Sequence, residues 1–473
     1  MSELVSKSSR REVSDERGNI YKLKSSIGEG GQGIVCATDH ENTLIKICRR
    51  PKSERQSWME HIRWLMQQDL DSLNIARPVA RIVKPQPGYV MELMDGLYSL
   101  QSLMEATEQA LCDQNIQAYL DQGGIRRRLH LLAKLARTLA ELHSRGMAFG
   151  DLSPANVFIS EDPKYCEVWL IDCDNISLNQ RMSNDIYTGS PRSVYTPFYG
   201  APEIIRGDSM ISSLSDSWSF AVVAFRLLTA IHPLVGDLVS DGDPELEEKA
   251  LEGDLPWIDH PTDARNRASH GLPRDLVLIK PLKDLFERCF NAGLDRPEMR
   301  PSLSEWAEKF EHACEWVVDC VHCNGSFFYK PVKGKLSCGF CDAQPEPGSL
   351  LFLRHYLWDK RILDIEGAKA SDCFIDTGLR QILNCDNFLI VKRSPPGSSF
   401  HINSEPLFKI ELEEQGVEVS PMGSQIIHIK VGGSTTKEFS TSFRLEKGER
   451  KGKTVVVLAG GDTDQKDACI FKW

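Results

Sequence analysis

The first hundred residues alternate short apolar runs with turns that contain glycine or aspartate, a pattern typical of antiparallel strands. Between the third and fourth runs, Trp58, Ile62 and Leu65 recur at helical spacing and predict one helix. We therefore expect a small lobe of strands and one helix over residues 21–95, after a polar, flexible leader at 1–20. The predicted strands are YKLKSSI (21–27), GIVCATD (33–39), TLIKICR (43–49) and GYVMELM (88–94).

Residues 96–316 carry mainly helical apolar spacing. A strand is expected in YCEVWLIDCDN (165–175), and polar composition predicts a loop over 175–199 and an acidic loop over 236–254. The predicted helices are RRRLHLLAKLARTLAELHSRG (126–146), the apolar segment 216–229, KDLFERCF (283–290) and LSEWAEKFEHACEWV (303–317). This region is therefore expected to be a larger, helical lobe.

The chain changes character at residue 317, where two CxxC pairs follow the last predicted helix. PEPG at 345–348 marks a turn or linker. We expect a small cysteine module over 317–345 and a β-rich interaction domain, a β-sandwich, over 346–473, so the fold class is α+β. The alternation of apolar and polar residues beyond the linker is clearest in FKIEL (408–412), IIHIKV (426–431) and TVVVLA (454–459).

Composition indicates a folded protein of ordinary type, with 41% apolar and 26% charged residues among 473. A net charge of −11 argues against coating of nucleic acid or anionic membrane, because both would repel the chain. The N-terminus lacks the apolar core of a signal peptide, and no run reaches the roughly 18 apolar residues of a membrane span. Fourteen cysteines without a secretion signal favour reduced thiols and a metal site over disulfides, so we expect a cytoplasmic protein.

The first candidate for chemistry is GEGGQGIV, which lies between two predicted strands. Gly28, Gly30 and Gly33, with Val35 after them, match the pattern G-x-G-x-x-G-x-V. Such glycines let the backbone approach a nucleotide triphosphate and present N–H groups to its oxygens. A bland glycine-rich hairpin explains the pattern about as well. A strand rather than a helix follows the third glycine, which disfavours a dinucleotide-binding fold.

Two charged residues downstream extend the candidate phosphate site. Lys46 lies on the next predicted strand, where one cation can contact the α and β phosphates. Glu60 lies on the predicted helix and is expected to hold that lysine by an ion pair, with Glu54 as a possible substitute. Taken singly, such residues are most often solvated surface charges.

FGDLSPANV and VWLIDCDN add polar residues of the kind that phosphoryl transfer requires. Asp151 can orient a substrate hydroxyl and accept its proton, and Asn156, five residues later, can bind a metal ion. Asp172 ends an apolar strand, where its carboxylate can coordinate the magnesium that bridges the β and γ phosphates. Asp174 is a rival ligand, but the apolar run directly before Asp172 favours the latter.

Three later motifs keep the same order along the chain: TPFYGAPE (196–203), Asp216 at the head of an apolar helix, and Arg300-Pro301. With the motifs above, they make residues 20–316 resemble the eukaryotic-type protein kinase fold. The resemblance implies a two-lobed kinase fold, with an N-lobe over 21–95 and a C-lobe over 96–316. ATP and Mg²⁺ would bind between the lobes, and the γ-phosphoryl group would pass to a protein hydroxyl.

The same resemblance assigns roles to individual residues. Met91 would be the gatekeeper, and Glu92 to Met94 the hinge beside the nucleotide. Glu203 would pair with Arg300 as a buried structural bridge, and Asp216 would brace the catalytic loop. The residues expected in catalysis are Lys46, Asp151, Asn156 and Asp172, and those expected to bind ATP and Mg²⁺ are Gly28, Gly30, Gly33, Val35, Lys46, Glu60, Glu92, Met94, Asn156 and Asp172.

Several positions depart from the family pattern. Phe149 and Gly150 stand where most members have His and Arg, so control through that arginine and a phosphorylated activation segment is not expected. Ser153 replaces a lysine that usually touches the γ phosphate, and DCD replaces DFG at 172–174. Thr196 matches a threonine of serine/threonine kinases and predicts that specificity. Because all four residues expected in catalysis are present, an active kinase is favoured over a nucleotide-binding pseudokinase scaffold. The APE segment and Thr196 favour a protein kinase over a small-molecule kinase.

The cysteine module contains CVHC and CGFC separated by fourteen residues. Two such turns can present four thiolates, from Cys320, Cys323, Cys338 and Cys341, to one tetrahedral ion. His322 and Cys314 are alternate ligands, and free cysteines in a core are the alternative, which this spacing disfavours. Redox-inert Zn²⁺ is favoured, with a single iron as the alternative, and a closed site of this kind is structural. The spacing resembles a zinc ribbon.

The order of kinase, ribbon and β-rich tail resembles bacterial eukaryotic-type kinases encoded beside a von Willebrand factor A domain protein and a metal-dependent phosphatase in tellurite-resistance-type loci. The resemblance implies that the von Willebrand factor A protein is a substrate and that the phosphatase is a partner. A degenerate forkhead-associated fold is one option for the tail, which either recruits substrate or restrains the kinase. We expect neither a membrane nor a nucleic acid as partner.

Overall fold

The structure is a computed structural model of the chain. It describes residues 12–29, 33–179, 195–330, 335–346, 348–385, 387–393, 405–449, 451–460 and 464–473. These residues separate into two compact units. The first runs to Gly123 and resumes over Arg127–Lys309, and the second takes Gly124–Arg126 and Phe310–Trp473.

The first unit contains the elements expected of both lobes. Its strands are β1 (Glu12–Asp15), β2 (Ile20–Glu29), β3 (Gly33–Thr38), β4 (Thr43–Cys48), β5 (Pro78–Lys84), β6 (Gly88–Glu92), β7 (Leu97–Ser99), β8 (Met147–Ala148), β9 (Val157–Ser160), β10 (Val168–Leu170) and β11 (Ser177–Leu178). Its helices are α1 (Arg55–Leu65), α2 (Leu100–Cys112), α3 (Ile116–Asp121), α4 (Gly124–Ser144), α5 (Pro202–Ile205), α6 (Ser213–Thr229), α7 (Asp237–Ser240), α8 (Pro244–Glu252), α9 (Arg274–Val277), α10 (Lys280–Glu287), α11 (Gly293–Asp295) and α12 (Leu303–Cys314). The first three residues of α4 and the end of α12 belong to the second unit. Short 3-10 turns lie at Pro154–Asn156, Cys173–Asn175 and Pro297–Met299, and a π-helical turn lies at Arg288–Ala292.

Six antiparallel strands of the first unit form a closed sheet in the order β1-β2-β3-β4-β6-β5. Its interior contains Val13, Ile45, Ile82 and Val90, all buried. The sheet differs from the sequence expectation at its start, because β1 lies within the segment predicted to be a flexible leader. Val13 packs into the core, and that burial orders a strand too short for its pattern to be recognised.

Helix α1 follows the predicted periodicity. Trp58, Ile62 and Leu65 are buried together with His61, so one face of the helix packs into the protein. The expected strand at 165–175 is shorter than predicted, because only β10 forms within it.

The acidic segment 236–254, expected to be a loop, instead contains α7 and α8. Pro244 occupies the first turn of α8, Glu245 and Glu247 follow it there, and Gly253 lies just past the end. Carboxylates near a helix N-terminus and a glycine after its C-terminus both favour a helix, and the charge-rich composition hid this signal.

Helix α6 has buried residues on all of its faces and begins with a capping box between Ser212 and Ser215. This explains the unbroken apolar run over 220–225, because a helical segment without a polar face must be surrounded by protein or lipid. Among the described residues, no helix combines the length and apolar character needed to cross a membrane.

The second unit is rich in strands. They are β12 (Val317–Asp319), β13 (Ser326–Phe328), β14 (Leu350–Asp359), β15 (Phe374–Asn384), β16 (Asn387–Lys392), β17 (Pro406–Glu413), β18 (Gly416–Pro421), β19 (Ile427–Val431), β20 (Lys437–Phe439), β21 (Phe443–Glu446), β22 (Thr454–Ala459) and β23 (Gln465–Lys472), with 3-10 turns at Lys360–Asp364 and Lys447–Glu449.

These strands pair into a β12-β13 hairpin, a six-stranded sheet in the order β15-β14-β23-β22-β19-β20 and a four-stranded sheet in the order β16-β17-β18-β21. Leu353 and Val457 of the larger sheet share one buried core with Phe408 and Val419 of the smaller sheet. The alternating runs identified in the sequence lie in β17, β19 and β22, so the period-two pattern located these strands.

Candidate functional site

Lys46 lies at the centre of the closed sheet, on β4 between β3 and β6. It is paired with Val35 on one side and Tyr89 on the other. Its side chain is only 3% exposed. Gly33 makes room for it, because a Cβ atom there would lie 3.0 Å from Lys46 Cε and 2.7 Å from the Ile47 carbonyl oxygen. The glycine motif therefore fits the lysine as well as a nucleotide.

The ammonium group of Lys46 contacts two carboxylates. It donates to Asp172 Oδ1, and it donates to Asp174 with Nζ–O distances of 3.0 and 2.9 Å. Burial opposes the charged form of the lysine, but the charges of Asp174 and Asp172 outweigh burial and raise its pKa above the usual value. Lys46 is therefore a fixed cation at any ordinary pH.

The two aspartates have different surroundings. Asp174 is fully buried and also accepts hydrogen bonds from Trp58 Nε1 (3.1 Å) and Tyr89 Oη (2.7 Å). Burial alone would raise its pKa, but the Lys46 charge and the hydrogen bonds with Asp172, Tyr89 and Lys46 hold the pKa of Asp174 well below its usual range. The Asp172 side chain is 28% exposed, and its burial together with the neighbouring Asp174 charge raises the pKa of Asp172 to about 7.

The structure does not bring Glu60 to Lys46. Glu60 is exposed on α1, where its carboxylate accepts a hydrogen bond from Gln56 (3.2 Å). Glu54, the substitute considered from the sequence, is also exposed and lies 3.8 Å from Arg50 Nη1. Glu60 points outward because it lies two residues after Trp58 on α1, and residues two apart on a helix point to nearly opposite faces. Trp58 occupies the buried face.

Asp151 lies in the loop between β8 and β9 and is held by hydrogen bonds. Its Oδ1 accepts from the Thr196 hydroxyl (2.8 Å), and its Oδ2 lies 3.5 Å from Asn175 Nδ2. Its backbone carbonyl accepts from Asn156 Nδ2 (2.9 Å). Burial raises the pKa of Asp151. The structure therefore brings Asp151, Asn156 and Thr196 together.

Asp216, at the start of α6, braces the same loop. Its carboxylate accepts from the backbone N–H groups of Phe149 (2.6 Å) and Gly150 (2.9 Å), and His143 Nε2 lies 2.9 Å from Oδ2. Gly150 has φ +89°, and a Cβ there would lie 2.9 Å from the carbonyl oxygen of Asn175. The loop therefore favours glycine at a position where most family members carry arginine.

Glu203 and Arg300 form the expected buried bridge. The guanidinium donates to both carboxylate oxygens at 2.7 and 2.8 Å, and its side chain is fully buried. It also donates to the Gly293 carbonyl (2.8 Å) and lies 4.9 Å from the centre of the Trp218 ring. No reacting group is needed here, so the pair is a structural element of the lobe.

The remaining predicted nucleotide contacts lie along the same sheet. Gly28 lies in β2 and Val35 in β3, while Gly30 falls outside the described residues, as does 180–194 of the expected polar loop. Met91 is buried at the end of β6, next to Glu92 and Met94, which are both exposed.

The donor set of the site suits ATP and Mg²⁺. Asn156 uses its amide nitrogen on the Asp151 carbonyl, which leaves its amide oxygen as a ligand atom. This oxygen and the Asp172 carboxylate are the hard oxygen ligands that Mg²⁺ prefers, and Lys46 supplies a cation for phosphate. The sequence missed Trp58 and Tyr89 as members of this cluster, because only the fold reveals that both donate to Asp174.

The four predicted cysteines come together in the second unit. Their sulfur atoms all lie within 4.8 Å of one another, with Cys320–Cys341 at 3.6 Å and Cys323–Cys338 at 3.8 Å. Tetrahedral zinc with Zn–S bonds of about 2.3 Å requires S···S separations of about 3.8 Å, so the residues fit this ion. In the part of the chain that the structure describes, the alternates Cys314 and His322 lie outside this group.

The two CxxC turns share one backbone design. The N–H of Cys320 donates to the Gly325 carbonyl and that of Cys338 to the Ala343 carbonyl, both at 2.8 Å. Each turn then continues into a left-handed residue, Asn324 (φ 55°) or Asp342 (φ 58°). This local symmetry explains why spacing alone located the cluster, since each half of the site is built within six residues.

Comparison with known proteins identifies the family of the chain. The family model for the protein kinase domain matches residues 21–310. Extracellular signal-regulated kinase 1 of Candida albicans (strain WO-1) is 25% identical over 228 residues, which cover 47% of this chain and 51% of that protein. Mitogen-activated protein kinase 2 of Pneumocystis carinii is 24% identical over 230 residues, which cover 47% of this chain and 60% of that protein. The chain thus spans only about half to three fifths of these relatives, yet the family model matches well over half of the chain, which belongs to the protein kinase family.

Proposed function

We propose that the chain is an ATP- and Mg²⁺-dependent serine/threonine protein kinase. The observation that carries the proposal is the grouping of Lys46 with Asp172 and of Asp151 with Asn156, in the order that the family requires. The matched relatives are named as kinases, which supports the same activity.

In this mechanism the chain acts mainly by positioning groups and neutralising charge. Bound ATP and Mg²⁺ supply the phosphoryl group and the charge that activates it. Asp151 Oδ1 is engaged by Thr196, and Oδ2 has only a long 3.5 Å contact to Asn175. Oδ2 is therefore the oxygen that orients the substrate hydroxyl and accepts its proton, while Lys46 holds phosphate.

Specificity for serine and threonine rests on Thr196. Its hydroxyl holds Asp151 from the side of the segment that would contact the protein substrate. The departures at Phe149, Gly150 and Ser153 leave this hydrogen bond in place. They alter the support and control of the loop rather than its reacting groups.

The C-terminal modules are proposed to be a structural zinc ribbon over 317–345 and a β-sandwich over 346–473 that recruits substrate or restrains the kinase. The fit of four sulfur atoms to a tetrahedral ion supports the first, and the core shared by two sheets supports the second. The von Willebrand factor A and phosphatase partners stay predictions from the domain arrangement.

One observation favours a second candidate, a nucleotide-binding scaffold without transfer activity. Glu60 does not contact Lys46, and the ion pair expected from the family is absent from the described residues. A scaffold would be stabilised by ATP against heat without giving any phosphorylated product.

Labelled ATP distinguishes the two candidates. Wild-type protein incubated with Mg²⁺ and γ-labelled ATP is expected to label itself or an added protein substrate. Asp151→Asn and Lys46→Met are expected to abolish labelling, whereas Asp162→Asn, an exposed carboxylate on the turn after β9, should leave it unchanged. Labelling that persists in the first two variants, or thermal stabilisation by ATP without any label, would refute the kinase assignment.

A further inference from the structure

Asp174 is surrounded by donors from three separate elements. Lys46 reaches it from β4, Trp58 from α1 and Tyr89 from β6. The rings of Trp58 and Tyr89 also pack together, with centres 5.9 Å apart. A carboxylate with no exposed surface and both oxygens engaged by protein donors has little capacity left for a metal ion.

Asp172 is the opposite case. Its side chain retains 28% exposure, and within the site it contacts Lys46 and the neighbouring Asp174. A metal ion that approaches from solvent therefore meets Asp172 first. The two aspartates of the DCD segment are chemically identical, yet the fold gives one a free side and the other none.

Glu60 carries the negative charge that could anchor Lys46, but its position on α1 keeps it away from the lysine. It lies on the exposed face of α1, while the buried face of the same helix presents Trp58. The helix thus approaches the lysine through an indole N–H and an intervening carboxylate, not through a carboxylate of its own.

From these contacts we propose that Asp174 is the positioning residue for Lys46, that Trp58 and Tyr89 fix Asp174, and that of the two aspartates only Asp172 is left to bind metal. The proposal depends on the proposed function in one respect, because the kinase assignment is what gives Lys46 a phosphate to bind. It removes Asp174 as a rival magnesium ligand and gives the DCD segment two separate tasks.

A consequence follows for helix α1. In this arrangement α1 contacts Asp174 through the hydrogen bond from Trp58 Nε1 to Oδ2 at 3.1 Å, and buried His61 of the same helix also interacts with Asp174. A shift of the helix that breaks the Trp58 hydrogen bond would loosen Asp174, and hence Lys46, even though Glu60 of α1 does not contact the lysine.

The most direct test measures how well Lys46 is protected from a small amine-acylating reagent, followed by mass spectrometry on protein free of nucleotide and metal. Asp174→Asn is expected to speed acylation of Lys46 by about tenfold or more, because the lysine loses a buried charge partner. Glu60→Gln should stay within about twofold of wild type, since this exposed side chain does not touch the lysine. Equal effects of both variants, or a Lys46 that stays protected in Asp174→Asn, would overturn the proposal.

Kinetics then separate anchoring from metal binding. Asp174→Asn is expected to lower kcat by about 100-fold while the Mg²⁺ concentration for half-maximal activity stays within about twofold of wild type. Asp172→Asn is expected to raise that Mg²⁺ concentration by about tenfold or more. The reverse pattern, with Asp174→Asn shifting the Mg²⁺ requirement, would assign the metal to Asp174 and contradict the division of tasks.

Should Asp174→Asn fail to fold, two milder variants test the same contacts. Trp58→Phe and Tyr89→Phe each remove one donor to Asp174 and keep a ring, and each should speed Lys46 acylation by about threefold to tenfold. Trp64→Phe, on the same helix, serves as the matched control and should leave the rate unchanged. Wild-type-like protection of Lys46 in both test variants refutes the role of Trp58 and Tyr89. Since acylation requires no phosphoryl transfer, an inactive wild-type protein would refute the proposed function while this test still decides the anchor.

Discussion

Replacing Glu203 with glutamine is expected to destabilise the first unit severely. The substitution keeps the shape of the side chain and one acceptor oxygen but removes the charge opposite Arg300, whose side chain is fully buried. It also loses one of two charge-assisted hydrogen bonds, at 2.7 and 2.8 Å. Leaving one partner of a buried ion pair uncompensated costs about 3–5 kcal/mol.

Two contacts reduce this cost. Arg300 keeps its donation to the Gly293 carbonyl and its position over Trp218, so part of its hydrogen bonding and packing survives. We therefore expect a loss at the lower end, about 3 kcal/mol, in the free energy of unfolding. Because the total free energy of unfolding of a domain is about 5–15 kcal/mol, this is a large fraction.

Urea denaturation at neutral pH measures the effect. The matched control is Glu305→Gln, which breaks the ion pair with Arg288. The side chain of Glu305 is 33% exposed and that of Arg288 is 37% exposed. A surface pair of this kind contributes about 0–1 kcal/mol. The midpoint of Glu203→Gln should fall well below that of the control at the same slope with denaturant. A loss below about 1 kcal/mol, or one equal to the control, would show that burial of this pair carries no special energetic weight.

Three further predictions concern other parts of the chain. Thr196→Val should lower kcat about tenfold with little change in KM for ATP, since it removes the 2.8 Å hydrogen bond to Asp151. Thr196→Ser keeps a hydroxyl and should retain activity. Equal activity of the wild type and both variants would contradict this role. Modification of the four clustered thiols should release about one zinc per chain. Cys338→Ser should lower the melting temperature of the second unit. A metal-free preparation with an unchanged melting temperature would count against a structural ion. Burial raises the pKa of Glu315 to about 9 from 4.5, so the folded state binds more protons than the unfolded state between these values, and stability should fall as pH rises through that window. Glu315→Gln should flatten this dependence and stabilise the second unit by up to about 3 kcal/mol at pH 7; identical pH profiles for the variant and wild type would refute the burial argument.

Sequence reasoning located those parts of the site that depend on local spacing. Asp151 and Asn156 lie five residues apart on one loop, and each half of the cysteine cluster is a single turn, so neither needed knowledge of the fold. Four of the six strands of the closed sheet, β2, β3, β4 and β6, were also found together with α1, because burial on one face imposes a clear period. The family order of motifs then joined these local parts into one site.

The sequence-based predictions were wrong where packing between distant parts of the chain determines the position of a residue. Glu60 was chosen for its distance along the chain from Lys46, although the buried face of α1, already visible in Trp58, Ile62 and Leu65, places it outward. The contacts to Asp174 join residues 85–128 positions apart, which no local pattern encodes. Strand β1 was missed for the same reason, since four residues carry too little period to identify a strand.

The central claim is that the site transfers phosphate to serine or threonine with Asp151 as the base. Mass spectrometry of phosphosites tests it most directly, on wild-type protein and Asp151→Asn after incubation with ATP and Mg²⁺ and prior treatment with a phosphatase. We expect new phosphoserine or phosphothreonine in the wild-type sample and none in the Asp151→Asn sample. Phosphotyrosine alone, equal phosphorylation of both proteins, or none in either would contradict it.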